Sequence, residues 1–258
     1  MKRRIIFSFM MVLILICLAV QPACALDCGA QSFYIKKNGH QQPQLPLDEK
    51  NIEAYDAIYI DKNKRDNDEQ KVLYLTFDAG YENGNIEKIL DTLKNENVHG
   101  AFFLLGHIIR NNTDLVKRMK NEGHLVCNHT VNHADMTKCT KEEMEKNLLR
   151  LEEIYSECVG GDMEKIFRFP EGRYDAERLL YAKELGYKTV FWSLAYADWD
   201  NERQMPPEKA KKILLDNTHN GAIILLHPTS ATNAEILPQL IREWRAMGYS
   251  FGNLNDLI

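Results

Sequence analysis

Little in this chain of 258 residues repeats: no internal repeat and no low-complexity tract divides it. That excludes solenoid and fibrous architectures and leaves one catalytic-sized domain with one large core as the default. Long apolar runs are equally scarce. The one at the N-terminus, Ile5 to Val20, has sixteen residues, short of the roughly 20 that a membrane-spanning helix needs. With Lys2-Arg3-Arg4 before it and Ala23-Cys24-Ala25 after it, residues 1–25 read as a secretory signal cleaved after Ala25, so the mature chain is expected outside the cytoplasmic membrane. Positive charge is in deficit. Three of the 32 Lys and Arg fall in the signal and none of the 37 Asp and Glu, leaving 29 basic against 37 acidic residues and a net charge of −8. This argues against nucleic acid as a partner. It also rules out electrostatic adhesion to an anionic wall, so affinity for an envelope polymer has to come from a groove. Cysteine is sparse too: Cys28, Cys127, Cys139 and Cys158 remain after the signal, and their spacings match no zinc or redox motif. Export permits disulfides without requiring them, and Cys127, inside an apolar strand, reads as a buried free thiol.

Residues 26–70 are polar and irregular, with Pro43 and Pro46 and the charged run Asp61 to Arg65, and read as an extended arm. From residue 71 to 258 apolar strands alternate with amphipathic helices. Strands are expected near 72, 101, 124, 166, 189, 222 and 250, with helices over 86–93, 114–121, 141–157, 175–185, 206–217 and 235–247. Strands apolar on both faces and separated by helices form parallel sheets. About seven of them suit a distorted (β/α) barrel, with an open doubly wound sheet as the alternative.

Polar groups sit at the ends of these strands. Val72 to Phe77 stops at Asp78, and Gly80 and Gly84 then allow tight turns. Asp78 is either a catalytic acid at a strand tip or a cap for the helix opening near Asn85. His129 and His133 follow another strand; histidines four apart can share one divalent cation, and equally can face solvent. Arg168 and Glu171, then Asp198 with Trp199, then His227 follow three more. Arg168 could be a surface ion pair, His227 a satisfied strand-end histidine and Trp199 wall or core. Five polar groups at five strand ends nevertheless converge on one face of a barrel.

Thr-Phe-Asp-Ala-Gly at 76–80, His-Thr-Val-Asn-His at 129–133, Arg-Phe-Pro-Glu-Gly at 168–172, Asp-Trp at 198–199 and Leu-Leu-His at 225–227 resemble the five ordered motifs of the polysaccharide deacetylases. Gly80 to Gly84 and Leu226 to Ala234 are similar to the branch that deacetylates muramic acid in spore peptidoglycan on the way to its δ-lactam. The resemblance implies Asp78 as general base, His129 and His133 as ligands of a divalent cation (Zn²⁺ is expected) and His227 as general acid. It further implies that Arg168 holds Asp78 ionised, that Asp198 supports the His227 imidazolium, and that the Glu171 backbone N–H faces the oxyanion. The implied substrate is the peptidoglycan glycan strand, prepared by an upstream amidase and deacetylated by a monomer in the cell envelope. In a spore former this is the space between forespore and mother cell. Two positions depart from the broad family pattern: a metal-binding aspartate after the base is replaced by Ala79, and the first aspartate of the fourth motif by Ala195. The cation is left to two neutral imidazoles, completed by water or substrate. The alternatives are deacetylation of N-acetylglucosamine or another polysaccharide, and a glycan-binding protein without activity.

Overall fold

The computed structural model describes residues 29–45 and 52–258; the expected signal and Cys28 lie outside the described residues. Strand β3 (Lys71–Ala79) sets the frame. Its side chains alternate, as a pleated strand requires: Leu73, Leu75 and Phe77 join the apolar layer shared with the helices. Tyr74 instead joins a second cluster with Ala101, Phe103, Leu125, Cys127, Ile166, Val190 and Ile223, which fills the barrel interior. Thr76 and Asp78 continue the interior row.

Parallel to β3 run β4 (Gly100–Leu104), β5 (Leu125–Asn128), β6 (Glu164–Phe167) and β8 (Lys188–Val190) in succession, with β9 (Ala222–Leu226) and the short β10 (Tyr249–Phe251) also pairing with β3. The fold is a distorted barrel of parallel strands wrapped by helices. These are α1 (Ile86–Asn95), α2 (Gly106–Asn111), α3 (Thr113–Asn121), α4 (Lys141–Cys158), α5 (Ala176–Glu184), α6 (Pro207–Asp216) and α7 (Ala231–Ala246). Register aligns the rim: Ala79 lies opposite Leu104, Leu104 opposite Asn128, and Asn128 opposite Phe167, while Phe77 lies opposite Leu226. The residues that come next, His129, Arg168 and His227, therefore leave the barrel at the level of Asp78.

Several local expectations change. An eighth strand, β2 (Ala57–Ile58), pairs with β8 from within the stretch expected to be an arm. The described part of that stretch is packed on the domain, with Phe33, Ile35, Leu45, Ile52 and Ala57 buried. In addition β1 (Gln31–Ser32) pairs antiparallel with β7 (Arg173–Tyr174). Two-residue strands carry no periodicity to read. Helix α2 was hidden between a strand and a helix, and α7 starts four residues early because Ser230 caps it by accepting the Asn233 N–H. The strand expected near 189 is a ladder only to Val190. The carbonyls of Val190 and Phe191 accept hydrogen bonds from Arg168 (2.9 and 3.1 Å), and the chain then crosses to β9 through a single bridge, Leu194 to Ile224.

Candidate active site

Asp78 and Arg168 form the floor. Arg168 is fully buried and every arm of its guanidinium is engaged: Nη1 donates to Asp78 Oδ1 (2.7 Å), Nη2 to Thr76 Oγ1 (3.0 Å) and the Phe191 carbonyl, and Nε to the Val190 carbonyl. Its Cζ lies 4.0 Å from the centre of the Phe103 ring. This is no surface ion pair. Nor is Asp78 a helix cap, because Glu82 accepts the N–H groups of Gly84 and Ile86 at the start of α1. Burial pushes the Asp78 carboxyl up, but Arg168, His129 and His227 together hold it below the ordinary carboxylate value.

His129 and His133 sit in a stitched loop. Asn128 is fully buried and accepts the Thr130 N–H, Asn147 accepts the Val131 N–H, and the Val131 carbonyl accepts the Gly106 N–H. A Cβ on Gly106 would come within 3.1 Å of that carbonyl, so the close approach needs glycine. Thr130 and His133 have φ of 74° and 58°, conformations that cost non-glycine residues energy and persist where surrounding contacts impose them. His129 Nδ1 is 2.9 Å from the Arg168 carbonyl. That contact makes Nδ1 the donor and leaves the Nε2 lone pair free. Burial brings the ring down to about 4, against the raising effect of Asp78, so it is neutral near pH 7. The His133 ring is 5.1 Å away, centre to centre, and Asp78 Oδ2 is 3.7 Å from His129 Nε2.

The second carboxylate, Asp198, is buried eight residues beyond β8. Its Oδ1 accepts from His227 Nδ1 (2.8 Å), while Oδ2 accepts from the His227 backbone N–H (2.8 Å) and Asn233 Nδ2 (2.6 Å). Asn233 also donates to the His227 carbonyl and accepts from Tyr196 Oη. Burial works against the charged imidazole, but the hydrogen bond and charge of Asp198 outweigh it and raise His227 above the ordinary histidine value.

One cavity of about 640 Å³ unites Asp78, His129, His133, Glu171 and His227 with the aromatic walls Trp192 and Trp199. Trp199 is 64% exposed, a wall and not core. Glu171 has φ of 56° on the loop after β6. The neighbouring Gly172, at φ 62°, could not carry a Cβ without meeting Trp192 at 2.8 Å. All seven residues singled out from the sequence are thus brought together, with Asp198 reaching the cavity through His227. Ala195 lines the cavity, whereas Ala79 is buried in the helix-side apolar cluster. Sequence reasoning missed Asn233, Tyr196 and Thr76. It also missed Phe33, Tyr34, Ile35 and Lys37, which bring the N-terminal segment into the cavity wall.

The polysaccharide deacetylase profile matches residues 65–190. The chain is 39% identical over 207 residues to the peptidoglycan-N-acetylmuramic acid deacetylase PdaA of Bacillus subtilis, covering 80% of this chain and 77% of that protein. It belongs to the polysaccharide deacetylase family. A solved structure of Bacillus subtilis PdaA, described as a family 4 carbohydrate esterase, superposes with a TM-score of 0.83 at 36% identity, covering 89% of this chain and 97% of that one. A peptidoglycan-N-acetylglucosamine deacetylase of Bacillus cereus is 32% identical over 187 residues, 71% of this chain and 66% of its own length. Family membership makes the chain a hydrolase of N-acetyl amide bonds. Polysaccharide deacetylases depend on a metal in general. Among the described residues no three His, Cys, Asp or Glu side chains are grouped to hold an ion. The donors at hand fit a cation carried by the His129 and His133 imidazoles, the free Nε2 of His129 being the decisive feature.

Proposed function

We propose that this chain is an exported deacetylase that removes the acetyl group from N-acetylmuramic acid residues of peptidoglycan, and that in a spore former this leads to the muramic δ-lactam of the cortex. The observation that carries the assignment of roles is the different saturation of the two buried carboxylates. Asp78 Oδ1 is taken by Arg168 while Oδ2 keeps a lone pair towards the cavity, and Asp198 has both oxygens engaged. The first can accept a proton and the second cannot readily do so.

In this reading Asp78 takes a proton from water as its oxygen bonds to the acetyl carbonyl carbon, and the Glu171 N–H faces the oxygen that gains charge. His227, with Nδ1 committed to Asp198, presents Nε2–H to the amide nitrogen. The C–N bond breaks as that proton transfers, leaving acetate and a free amine. A cation on His129 and His133 would polarise the carbonyl and acidify the water. The freed amine then condenses with the lactyl carboxyl, losing water, to close the lactam. A stem peptide on that carboxyl would block this closure and crowd an acidic protein, so an amidase acts first.

The test is acetate release from intact and amidase-treated peptidoglycan, with and without chelator, and location of the new amine by mass spectrometry. Faster release after amidase treatment, with the amine on muramic acid, is expected. An amine found on glucosamine sinks the choice of sugar and leaves deacetylation standing.

A further inference from the structure

The N-terminal segment enters the cavity from outside the region matched by the family profile, and it enters by construction. Phe33 donates its N–H to the Gly172 carbonyl (2.8 Å), beside Glu171, and its ring stacks on Phe191 at 4.3 Å with Trp192 at 5.3 Å. Its neighbours are thereby held at the rim. Tyr34, 64% exposed, and Trp199, also 64% exposed, are aromatic walls of one cavity and offer flat apolar faces to sugar rings. Lys37 lines the same cavity. Among the described lining residues it is the only Lys or Arg, and it forms no ion pair with a described residue. In a chain with 37 acidic and 32 basic residues, a lysine left unpaired at the mouth of a cavity that also holds Asp78 and Glu171 is a local reversal of sign.

We infer that Lys37 is a specificity-determining residue that receives the carboxylate of an acidic sugar while Tyr34 and Trp199 bracket the glycan. The inference rests on the muramic acid reading, because the lactyl arm is what distinguishes muramic acid from glucosamine, and its carboxylate is free once the peptide is gone. An ammonium on a flexible stem suits a carboxylate on a rotatable ether arm better than a rigid fork would. The interaction is charge-assisted but partly solvated, so it acts on substrate binding and weakens with salt.

The experiment compares the full chain with Lys37→Gln on amidase-treated peptidoglycan and on the same glycan with its lactyl carboxyl converted to the neutral amide. On the carboxylate glycan Lys37→Gln should raise KM by about tenfold with kcat unchanged, in line with loss of one charge-assisted contact. Lys37→Arg should restore most of it. On the amidated glycan the two proteins should be equal, and the wild-type advantage should shrink as salt rises. Muramic acid deacetylation with no KM change in Lys37→Gln, or an equal change on both glycans, overturns the inference alone. Acetate released by the wild type only from glucosamine overturns the muramic acid reading and this inference with it.

Discussion

The two buried carboxylates of the site invite comparison, because each is held by one cationic partner and each is held differently. Asp78 is paired with a guanidinium that never loses its charge, and one of its oxygens is left over. Asp198 is paired with an imidazole that titrates, and neither oxygen is left over. The first arrangement keeps a carboxylate ionised and available. The second spends the carboxylate on orienting a histidine and raising its proton affinity. The same residue type thus serves as reactant in one place and as support in the other, and the hydrogen-bond inventory tells them apart.

The largest test of this contrast is Asp78→Asn, which keeps the shape and the Arg168 contact but removes the spare lone pair. A loss of about 10²–10⁴-fold in kcat with nearly unchanged glycan binding is expected, measured by acetate release; activity at the wild-type level would show that Oδ2 is not the base. Arg168→Met should act on stability first. It strips Asp78 of its partner inside the barrel and leaves buried carbonyls unpaired, so urea titration should show a loss of about 3–5 kcal/mol. A variant as stable as wild type would mean that water replaces the guanidinium freely.

The pairs should also fail at opposite ends of the pH scale. Asp78 is depressed in the fold, so its contribution is complete above the ordinary carboxyl value and disappears as pH falls through the lowered one. His227 is raised, so its contribution is complete below the ordinary histidine value and disappears as pH rises through the raised one. Asp198→Asn should therefore move the alkaline limb of the rate profile to lower pH and flatten the alkaline slope of stability, with the acid side unaltered. An unmoved limb would take the acid role away from His227. The smallest effect is assigned to Asn233→Ala, which removes one of the two donors to Asp198 Oδ2. A fall in kcat of severalfold with unchanged KM is expected, and Asn233→Asp should be worse, since it sets a second carboxyl against Asp198.

How much of this was legible in the sequence depended on distance along the chain. Asp78, His129, Arg168 and His227 could be found because each ends an apolar run, and a parallel barrel turns strand ends into neighbours. Asp198 was harder, since the strand before it gives its carbonyls to Arg168 and stops at Val190. Asn233 was invisible as a site residue because it lies ahead of the helix expected over 235–247, and only the fold brings its amide within 2.6 Å of Asp198. The segment around Phe33 has the composition of an arm for a similar reason. Its partners Gly172, Phe191 and Trp192 lie far downstream, and no periodicity announces a contact between single aromatic residues so widely separated.

That separation has a consequence in time. A chain made from its N-terminus presents residues 31–37 early, but the strand that receives them is 143 residues further on for the Gln31–Tyr174 contact, and the Trp192 ring later still. Closing so long a loop carries an entropic cost, and β3 meets the same cost, since its partners Ala222 in β9 and Tyr249 in β10 lie still further from Leu73 and Lys71 along the chain. Residues 31–37 and β3 thus both depend on partners that lie far downstream. The cavity wall draws on residues from Phe33 to His227, so the cavity as a whole takes shape only in a finished molecule.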